Sequence, residues 1–298
     1  MSSESEGQVR GSRVRLVTQG ARRTASRTIL RADDGVRIEA LYEPAQGGEG
    51  DPAIVVAHGF TGSVDRPAVR RAARVFRRYA AVITFSFRGH GGSGGRSTVG
   101  DREVLDVAAA VRWARSLGHD RVVTVGFSMG GSVVVRHAAL YRDPAGDGDD
   151  GGDGTHGGRT EAHPAGQGHA HAHADAVVAV SAPARWYYRG TAPMRRLHWV
   201  VTRPAGRLVG RLGLRTRIHA RDWDPVPLSP VEAAAGLGPT PLLVVHGDRD
   251  PYFPLDHPRM LAAAADRSEL WIVPGMGHAE NAAEETLLHR IGAWLTAA

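Results

Sequence analysis

Cysteine and lysine are both absent from this chain of 298 residues. Without cysteine, the protein has no disulfide, no thiolate nucleophile and no cysteine-ligated zinc site. No apolar run approaches the ~18 residues that cross a bilayer, and the N-terminus lacks the apolar segment of a secretion signal. We therefore expect a protein that is made without export and works in the cytoplasm.

The absence of lysine also changes how the positive charge is interpreted. All 37 basic residues are arginine, and the formal net charge is +6. These arginines are scattered through every segment, whereas a nucleic-acid-binding surface gathers them in one stripe with interleaved aromatic residues. We therefore predict no nucleic-acid partner. The sequence carries no signal for the oligomeric state.

The pattern of apolar residues predicts one α/β domain after a tail. Residues 1–25 are polar and arginine-rich without a sustained period, which predicts disorder. Two short runs around Asp34 and Gly35 predict an antiparallel hairpin. Beyond it, β-branched runs alternate with amphipathic segments, which is typical of a doubly wound, mostly parallel sheet covered by helices. We predict strands at 53–57, 81–87, 121–126, 176–181, 241–246 and 269–273, and helices at 67–79, 101–117, 128–141, 255–265 and 280–295.

Two segments interrupt this alternation. Residues 143–175 contain no large apolar side chain, so burial cannot offset the entropy of ordering them, and we predict a flexible insertion. His169, His171 and His173 alternate with alanine there, but no acidic or cysteine partners stand at tetrahedral spacing, and we assign no metal site. Residues 185–237 carry tryptophan and tyrosine side chains, which predicts a cap that folds onto the domain.

A Gly-x-Ser-x-Gly motif runs from Gly126 to Gly130 with Ser128 at its centre. A β-branched run enters it and a helical pattern leaves it, and this context is typical of a nucleophilic serine on a sharp turn. A Cβ atom at either glycine would collide with the neighbouring strand and helix. Ser128 would stand at the helix N-terminus, where the dipole favours a developing negative charge. The alternative is a glycine-rich turn that merely contains serine.

Other strand ends supply groups that can act with this serine. Phe60 follows the strand at 53–57, so its N–H, together with the Met129 N–H, is predicted to form an oxyanion hole. Asp248 and Asp250 follow the strand at 241–246, and His278 lies in a glycine-flanked loop after the last strand. All of these follow strand C-termini, the edge where open α/β sheets build their sites.

With these motifs the chain resembles the α/β-hydrolase superfamily, in particular the serine hydrolases that include carboxylesterases, monoglyceride lipase, lysophospholipase-like proteins and the prolyl iminopeptidases of the serine aminopeptidase group. The likeness covers residues 28–142 and 176–297. It implies an α/β-hydrolase fold over 26–298, with the hairpin at its N-terminus and a small helical cap. It implies Ser128 as nucleophile, His278 as general base and acid, and Asp250 as the acid that orients the histidine, in the chain order serine, acid, histidine.

The resemblance extends to the loop that begins at Arg88, an Arg-Gly-x-Gly-x-Ser sequence. Ser86 stands where the family usually has aspartate, which is a departure from the pattern. Family members use histidines at the positions of His58 and His90 structurally, so we expect both to shape loops. A serine nucleophile excludes the haloalkane-dehalogenase and epoxide-hydrolase chemistries of this fold, which require aspartate at that position.

The predicted function is hydrolysis of a small-molecule carboxylic ester through an acyl-enzyme, without a cofactor. The alternative within the same mechanism is an aminopeptidase or amidase, which in similar families holds the substrate amine with cap carboxylates. Residues 185–221 contain no Asp or Glu, which favours the ester. A catalytically silent binding protein on the same scaffold is the alternative from another class.

The cap is rich in arginine. Arg207, Arg211 and Arg215 recur every four residues, so they would share one face of a helix. One interpretation is a solvated outer face decorated by the arginine bias of the whole chain. The other is a basic amphipathic cap that lies at an anionic lipid surface or attracts an anionic substrate to the pocket mouth.

Overall fold

The computed structural model describes residues 24–47, 52–142 and 171–298. The tail predicted at 1–25 lies outside these residues as far as position 23. The insertion predicted at 143–175 lies outside them as far as position 170, and His169 with it.

Short runs of valine, isoleucine and alanine form the central strands, since β-branched side chains suit a pleated surface that is covered on both faces. The described strands are β1 (Ser26–Arg31), β2 (Arg37–Glu43), β3 (Ala53–Ala57), β4 (Ala81–Phe85), β5 (Val122–Phe127), β6 (Ala176–Val180), β7 (Leu242–Gly247) and β8 (Ser268–Val273).

These strands form one eight-stranded sheet in the order β1-β2-β4-β3-β5-β6-β7-β8. Pairing is antiparallel between β1, β2 and β4 and parallel from β4 to β8. The predicted fold class, an α/β-hydrolase sheet that begins with an antiparallel hairpin, is confirmed.

Helices alternate with the strands, as the amphipathic segments predict. The described helices are α1 (Pro67–Phe76), α2 (Glu103–Ser116), α3 (Met129–Leu140), α4 (Ala192–Thr202), α5 (Pro204–Leu212), α6 (Pro230–Ala235), α7 (Asp256–Ala264), α8 (Ala279–Ala282) and α9 (Glu285–Ala297). None of them is long and apolar enough to cross a membrane.

Strand β3 shows how the core is divided. Ala53, Val55 and Ala57 belong to an apolar cluster shared with α2 and α3, whereas Ile54 and Val56 belong to a second cluster shared with α1 and α9. This alternation with a period of two places one layer of helices on each face of the sheet. The loops that carry the candidate residues lie at the C-terminal edge of the strands.

The helix predicted at 280–295 is two helices, α8 and α9, so that prediction was wrong. The chain becomes extended at Ala283, with φ −71° and ψ 109°. The guanidinium of Arg71 on α1 donates to the carbonyl oxygens of Glu280 at 2.6 Å and Ala283 at 3.0 Å. The carbonyl groups freed at the break are therefore hydrogen-bonded, which removes the cost of ending the helix there.

The boundaries of the two interruptions also differ from the sequence expectation. Ala172 is buried against Ala108 and Tyr141, so chain that we assigned to the insertion packs on the domain before 175. Within the segment 185–237, α4 lines the cavity that contains Ser128, and α5 packs on α4. By contrast, Ala233 and Ala234 of α6 belong to the main core.

Arg207, Arg211 and Arg215, which are spaced by four residues, do not share one helical face. Helix α5 ends at Leu212, and Arg215 follows with a φ of 54°, outside the helix. Arg207 is half-buried and donates to the carbonyl oxygen of Thr202 at 2.9 Å, near the end of α4. The shortness of α5 and the free carbonyl groups at the end of α4 explain both departures.

Candidate active site

Ser128 occupies the sharp turn between β5 and α3. Its φ of 51° and ψ of −117° are strained for a residue with a side chain. A Cβ at Gly126 would lie 2.1 Å from the carbonyl oxygen of Gly130, and a Cβ at Gly130 would lie 2.4 Å from that of Ala57. Only glycine fits either position, so the motif holds Ser128 at the edge of the sheet.

His278 lies in the loop after β8, and its ring joins the other two candidate groups. Its Nε2 is 2.9 Å from Ser128 Oγ, and its Nδ1 is 2.7 Å from Asp250 Oδ2. Because a carboxylate only accepts, Nδ1 carries the proton and Nε2 accepts from the serine hydroxyl. The next residue fixes the loop, since the Ala279 N–H donates to Ser181 Oγ at 3.0 Å.

Asp250 follows β7 and its carboxylate is fully buried. The Oδ1 atom accepts the backbone N–H groups of Tyr252 at 2.8 Å and Phe253 at 3.2 Å. Burial alone would raise the pKa of Asp250, but its hydrogen bond to His278, the positive charge of that ring when it is protonated and the two backbone donors hold the pKa below its ordinary value. Asp250 is therefore a carboxylate at neutral pH.

The second carboxylate of the Asp-x-Asp pair points elsewhere. Asp248 is exposed and accepts the Gly275 N–H at 2.6 Å. This hydrogen bond holds the loop before His278, and Asp248 forms no bond to the histidine ring. The structure thus brings together Ser128, His278 and Asp250, and it keeps Asp248 apart from them.

Phe60 and Met129, the two predicted oxyanion donors, line the same cavity as Ser128. The backbone of residues 58–60 is held by a group that our sequence analysis missed. The carboxylate of Glu280 is buried and accepts the Gly59 N–H at 3.1 Å. A signal was present in the sequence, since this acidic residue follows His278 by two positions and lies in the first turn of α8.

Two buried histidines complete the support of this loop. His58 donates from Nδ1 to its neighbour's carbonyl, Gly59 O, at 2.6 Å and accepts the Phe87 N–H at Nε2. Burial, followed by the nearby charge of His90, lowers the pKa of His58 to about 3, so the ring is neutral. His90 Nε2 contacts the carbonyl oxygen of Phe60. Both rings bond to loop backbone, as we expected.

The loop that begins at Arg88 is anchored without the usual aspartate. Ser86 Oγ donates to the carboxylate of Glu39 at 3.2 Å, and the same carboxylate accepts the Gly92 N–H at 2.9 Å. Glu39 thus supplies the charge that position 86 lacks. Arg88 itself is buried between the carboxylates of Asp34 and Asp106.

A cavity of about 970 Å³, including its open mouth, lies between Ser128 and the cap. Aromatic and aliphatic side chains dominate its wall, and Asp222 is the single carboxylate among the described lining residues, which also include Arg221 and Arg185. No group of His, Asp or Glu in the described part of the chain could hold a metal ion. The apolar lining residues are Phe60, Val99, Met129, Pro183, Trp186, Met194, Leu197, Val201, Ile218, Trp223 and Phe253.

The sequence matches the profile of the alpha/beta hydrolase family over residues 27–287. The chain therefore belongs to the alpha/beta hydrolase family, in agreement with its sheet and its strand-end residues. No protein of curated function matches the sequence.

Solved structures share this fold at low identity. An esterase from Pyrococcus furiosus is 20% identical with a TM-score of 0.64, covering 92% of this chain and 90% of that one. Est1E from Butyrivibrio proteoclasticus, with ferulic acid bound, is 16% identical with a TM-score of 0.54, covering 91% and 96%. A serine hydrolase homologue from Coxiella burnetii is 16% identical with a TM-score of 0.56, covering 92% and 97%.

Proposed function

We propose that the protein hydrolyses carboxylic esters through an acyl-enzyme formed on Ser128. The observation that carries this proposal is the hydrogen-bonded series from Ser128, which lines an apolar cavity, through His278 to the buried carboxylate of Asp250. A nucleophile, its base and the group that orients the base are thus within hydrogen-bond reach of one another.

The reaction begins when Ser128 Oγ attacks the ester carbonyl carbon while His278 Nε2 takes the hydroxyl proton. Asp250 stabilises the imidazolium that forms. The negative charge on the carbonyl oxygen is taken up by the N–H groups of Phe60 and Met129. The imidazolium returns its proton to the departing alcohol oxygen, and water, activated by the same imidazole, then releases the acid and restores the serine.

The wall of the cavity supports a substrate with an apolar acyl or alcohol part. Each buried methylene contributes about 0.8 kcal/mol in such surroundings. One structural neighbour supports the ester assignment by its name, since the Pyrococcus furiosus protein, which shares the fold, is called an esterase.

An aminopeptidase remains the second candidate because it would use the same series of groups. Such an enzyme needs negative charge where the substrate amine binds. The single carboxylate of the described lining, Asp222, shares that lining with Arg221 and Arg185. The net charge of these three groups is positive, which disfavours an ammonium ion and favours a neutral ester.

Initial rates on p-nitrophenyl esters of increasing acyl length, beside amino acid p-nitroanilides, test this proposal. We expect ester hydrolysis whose kcat/KM rises with chain length from about two to about eight carbons, and little anilide hydrolysis. Ser128→Ala is the control for non-enzymatic turnover. Faster hydrolysis of the anilides would replace the ester assignment, and a folded protein that hydrolyses neither would be a binding protein.

A further inference from the structure

The two cap helices pack against each other closely, through small residues. Helices α4 and α5 are joined by Arg203 alone, and α5 turns its glycines inward. A Cβ at Gly206 would lie 2.3 Å from the carbonyl oxygen of Trp199 on α4, and one at Gly210 would lie 2.9 Å from the side chain of Ile218. Because its small residues make the contacts, α5 leaves its large apolar side chains on the outside.

The outer surface of this helix pair is therefore apolar. Leu212 is 72% exposed, Leu208 56%, Val209 48% and Trp199 47%. Leu208 and Leu212 are one turn apart and share a face. Exposed apolar residues that occur singly are ordinary, but a cluster marks a surface that contacts something else.

The same helix pair also bears exposed arginines. Arg195, Arg196, Arg203 and Arg211 are exposed, and none of them pairs with a carboxylate of the described chain. Residues 185–221 contain no Asp or Glu at all. We call these four arginines, with Trp199, Leu208, Val209 and Leu212, the cap face. It combines exposed apolar area with positive charge that has no negative partner nearby.

We propose that the cap face docks the protein on an anionic lipid surface. Apolar side chains flanked by arginine match a bilayer interface, where the chains enter the acyl boundary and the guanidinium groups meet anionic headgroups. A tryptophan at the edge of such a cluster suits the same interface. A second copy of the chain fits less well, since it would set arginine against arginine.

Docking through the cap face would bring the cavity to its substrates, and this step rests on the proposed function. Met194, Leu197 and Val201 of α4 line the cavity, while the other side of the same helix bears Trp199. Docking would hold the cavity mouth at the lipid surface, where esters with long acyl chains accumulate. The substrates would then be apolar esters held in a membrane.

Co-sedimentation with sucrose-loaded vesicles tests the proposal, with full chains that carry Ser128→Ala so that no lipid is cleaved. The vesicles are phosphatidylcholine alone, or phosphatidylcholine with about 30% phosphatidylglycerol. We expect about tenfold stronger binding to the anionic vesicles at low salt. This binding should fall as salt rises from about 0.05 to about 0.5 M, because the Debye length shortens.

A matched pair of variants locates the surface. Leu208→Asp with Arg211→Glu changes one apolar and one basic residue of α5. Ile29→Asp with Arg31→Glu makes the same changes on the exposed strand β1. We expect the α5 variant to lose at least about tenfold in binding to anionic vesicles, and the β1 variant to keep it. Neither pair lines the cavity, so hydrolysis of a dissolved short-chain ester by chains with intact Ser128 should be unchanged.

Several results would overturn the docking proposal. The first is a wild-type chain that binds neither kind of vesicle, and the second is an equal loss of vesicle binding in the two variants. The third is the formation of dimers in sedimentation equilibrium that the α5 variant abolishes. The fourth is an α5 variant that loses only the hydrolysis of dissolved anionic esters. The last two would assign the cap face to self-association or to substrate attraction. Vesicle binding by a chain that hydrolyses no ester would contradict the proposed function and leave the docking intact.

Discussion

At the residue scale, Asp248 and Asp250 are separated by one residue but lie in different surroundings. Asp250 is buried and bonds to His278, whereas Asp248 is exposed and bonds to the backbone of Gly275. Asp250→Asn should lower kcat/KM by about 10³-fold or more, because an amide neither fixes the tautomer of His278 nor stabilises its cation. Asp248→Asn should change kcat/KM little. Steady-state kinetics on one p-nitrophenyl ester, with circular dichroism to verify folding, measures both, and the reverse ranking would contradict the proposed role of Asp250.

Glu280 is a positioning residue for the loop that carries Phe60. Removing its carboxylate in Glu280→Ala leaves the buried Gly59 N–H without an acceptor and loosens the loop. We expect kcat to fall by about tenfold or more with KM nearly unchanged, since the oxyanion forms only during the reaction. Glu280→Gln keeps an acceptor oxygen and should restore most of kcat. A loss of thermal stability in Glu280→Ala without a loss of kcat would reduce Glu280 to a structural role.

The sequence reveals some of these residues and hides others for a physical reason. Ser128, Asp250 and His278 each follow a strand end and lie in a local pattern that can be recognised without the fold. Glu280 and Glu39 cannot be found this way. Their partners Gly59 and Gly92 are 221 and 53 residues away in the chain, so only the folded sheet brings them together.

At the scale of elements, the contact between the end of β7 and the loop before His278 controls the site. A Cβ at Gly247 would lie 2.0 Å from the carbonyl oxygen of Met276. Gly247→Ala must therefore displace that loop. We expect it to lower kcat/KM by about tenfold or more and to destabilise the fold by about 1–3 kcal/mol. Gly47→Ala, where the added atom meets nothing within 4 Å, is the matched control. Equal kinetics and equal urea midpoints for the two variants would contradict this account.

The sequence pattern predicted some of the helices and strands correctly and failed for others. Continuous β-branched runs predicted the parallel strands well, because both faces of such strands are buried. The split between α8 and α9 escaped prediction because it depends on Arg71, which bonds the freed carbonyl groups from another helix. The spacing of Arg207, Arg211 and Arg215 predicted one shared helical face, and this was wrong because a periodic pattern does not show where a short helix ends.

At the scale of the whole molecule, neutral histidines in the core make stability depend on pH. Burial lowers the pKa of His58 to about 3, while an unfolded histidine has a pKa of about 6.5. The unfolded chain therefore binds the proton first, and the free energy of unfolding falls as the pH drops below about 6.5. For His58 this loss amounts to roughly 2 kcal/mol between about pH 7.5 and about pH 5.

Urea unfolding at both pH values, in the wild type and in His58→Asn, isolates this contribution. Asparagine keeps a donor for the Gly59 carbonyl but does not titrate. Titrating groups away from this ring are present in both proteins and cancel in the difference. His90 lies beside His58, so its titration is coupled to that of His58 and forms part of the measured contribution. The wild type should lose more stability on acidification than the variant. Parallel losses would show that His58 is not buried as a neutral ring.

The most direct test of the central claim is covalent labelling of the folded protein by a fluorophosphonate, followed by mass spectrometry of the peptides. The phosphonyl group should add once per chain, on Ser128, and the unfolded protein should not react, because only the folded site activates the hydroxyl. Ser128→Ala should take up no label and should hydrolyse no ester above the uncatalysed rate. Label on another residue, or ester hydrolysis by Ser128→Ala within about tenfold of the wild type, would contradict the account.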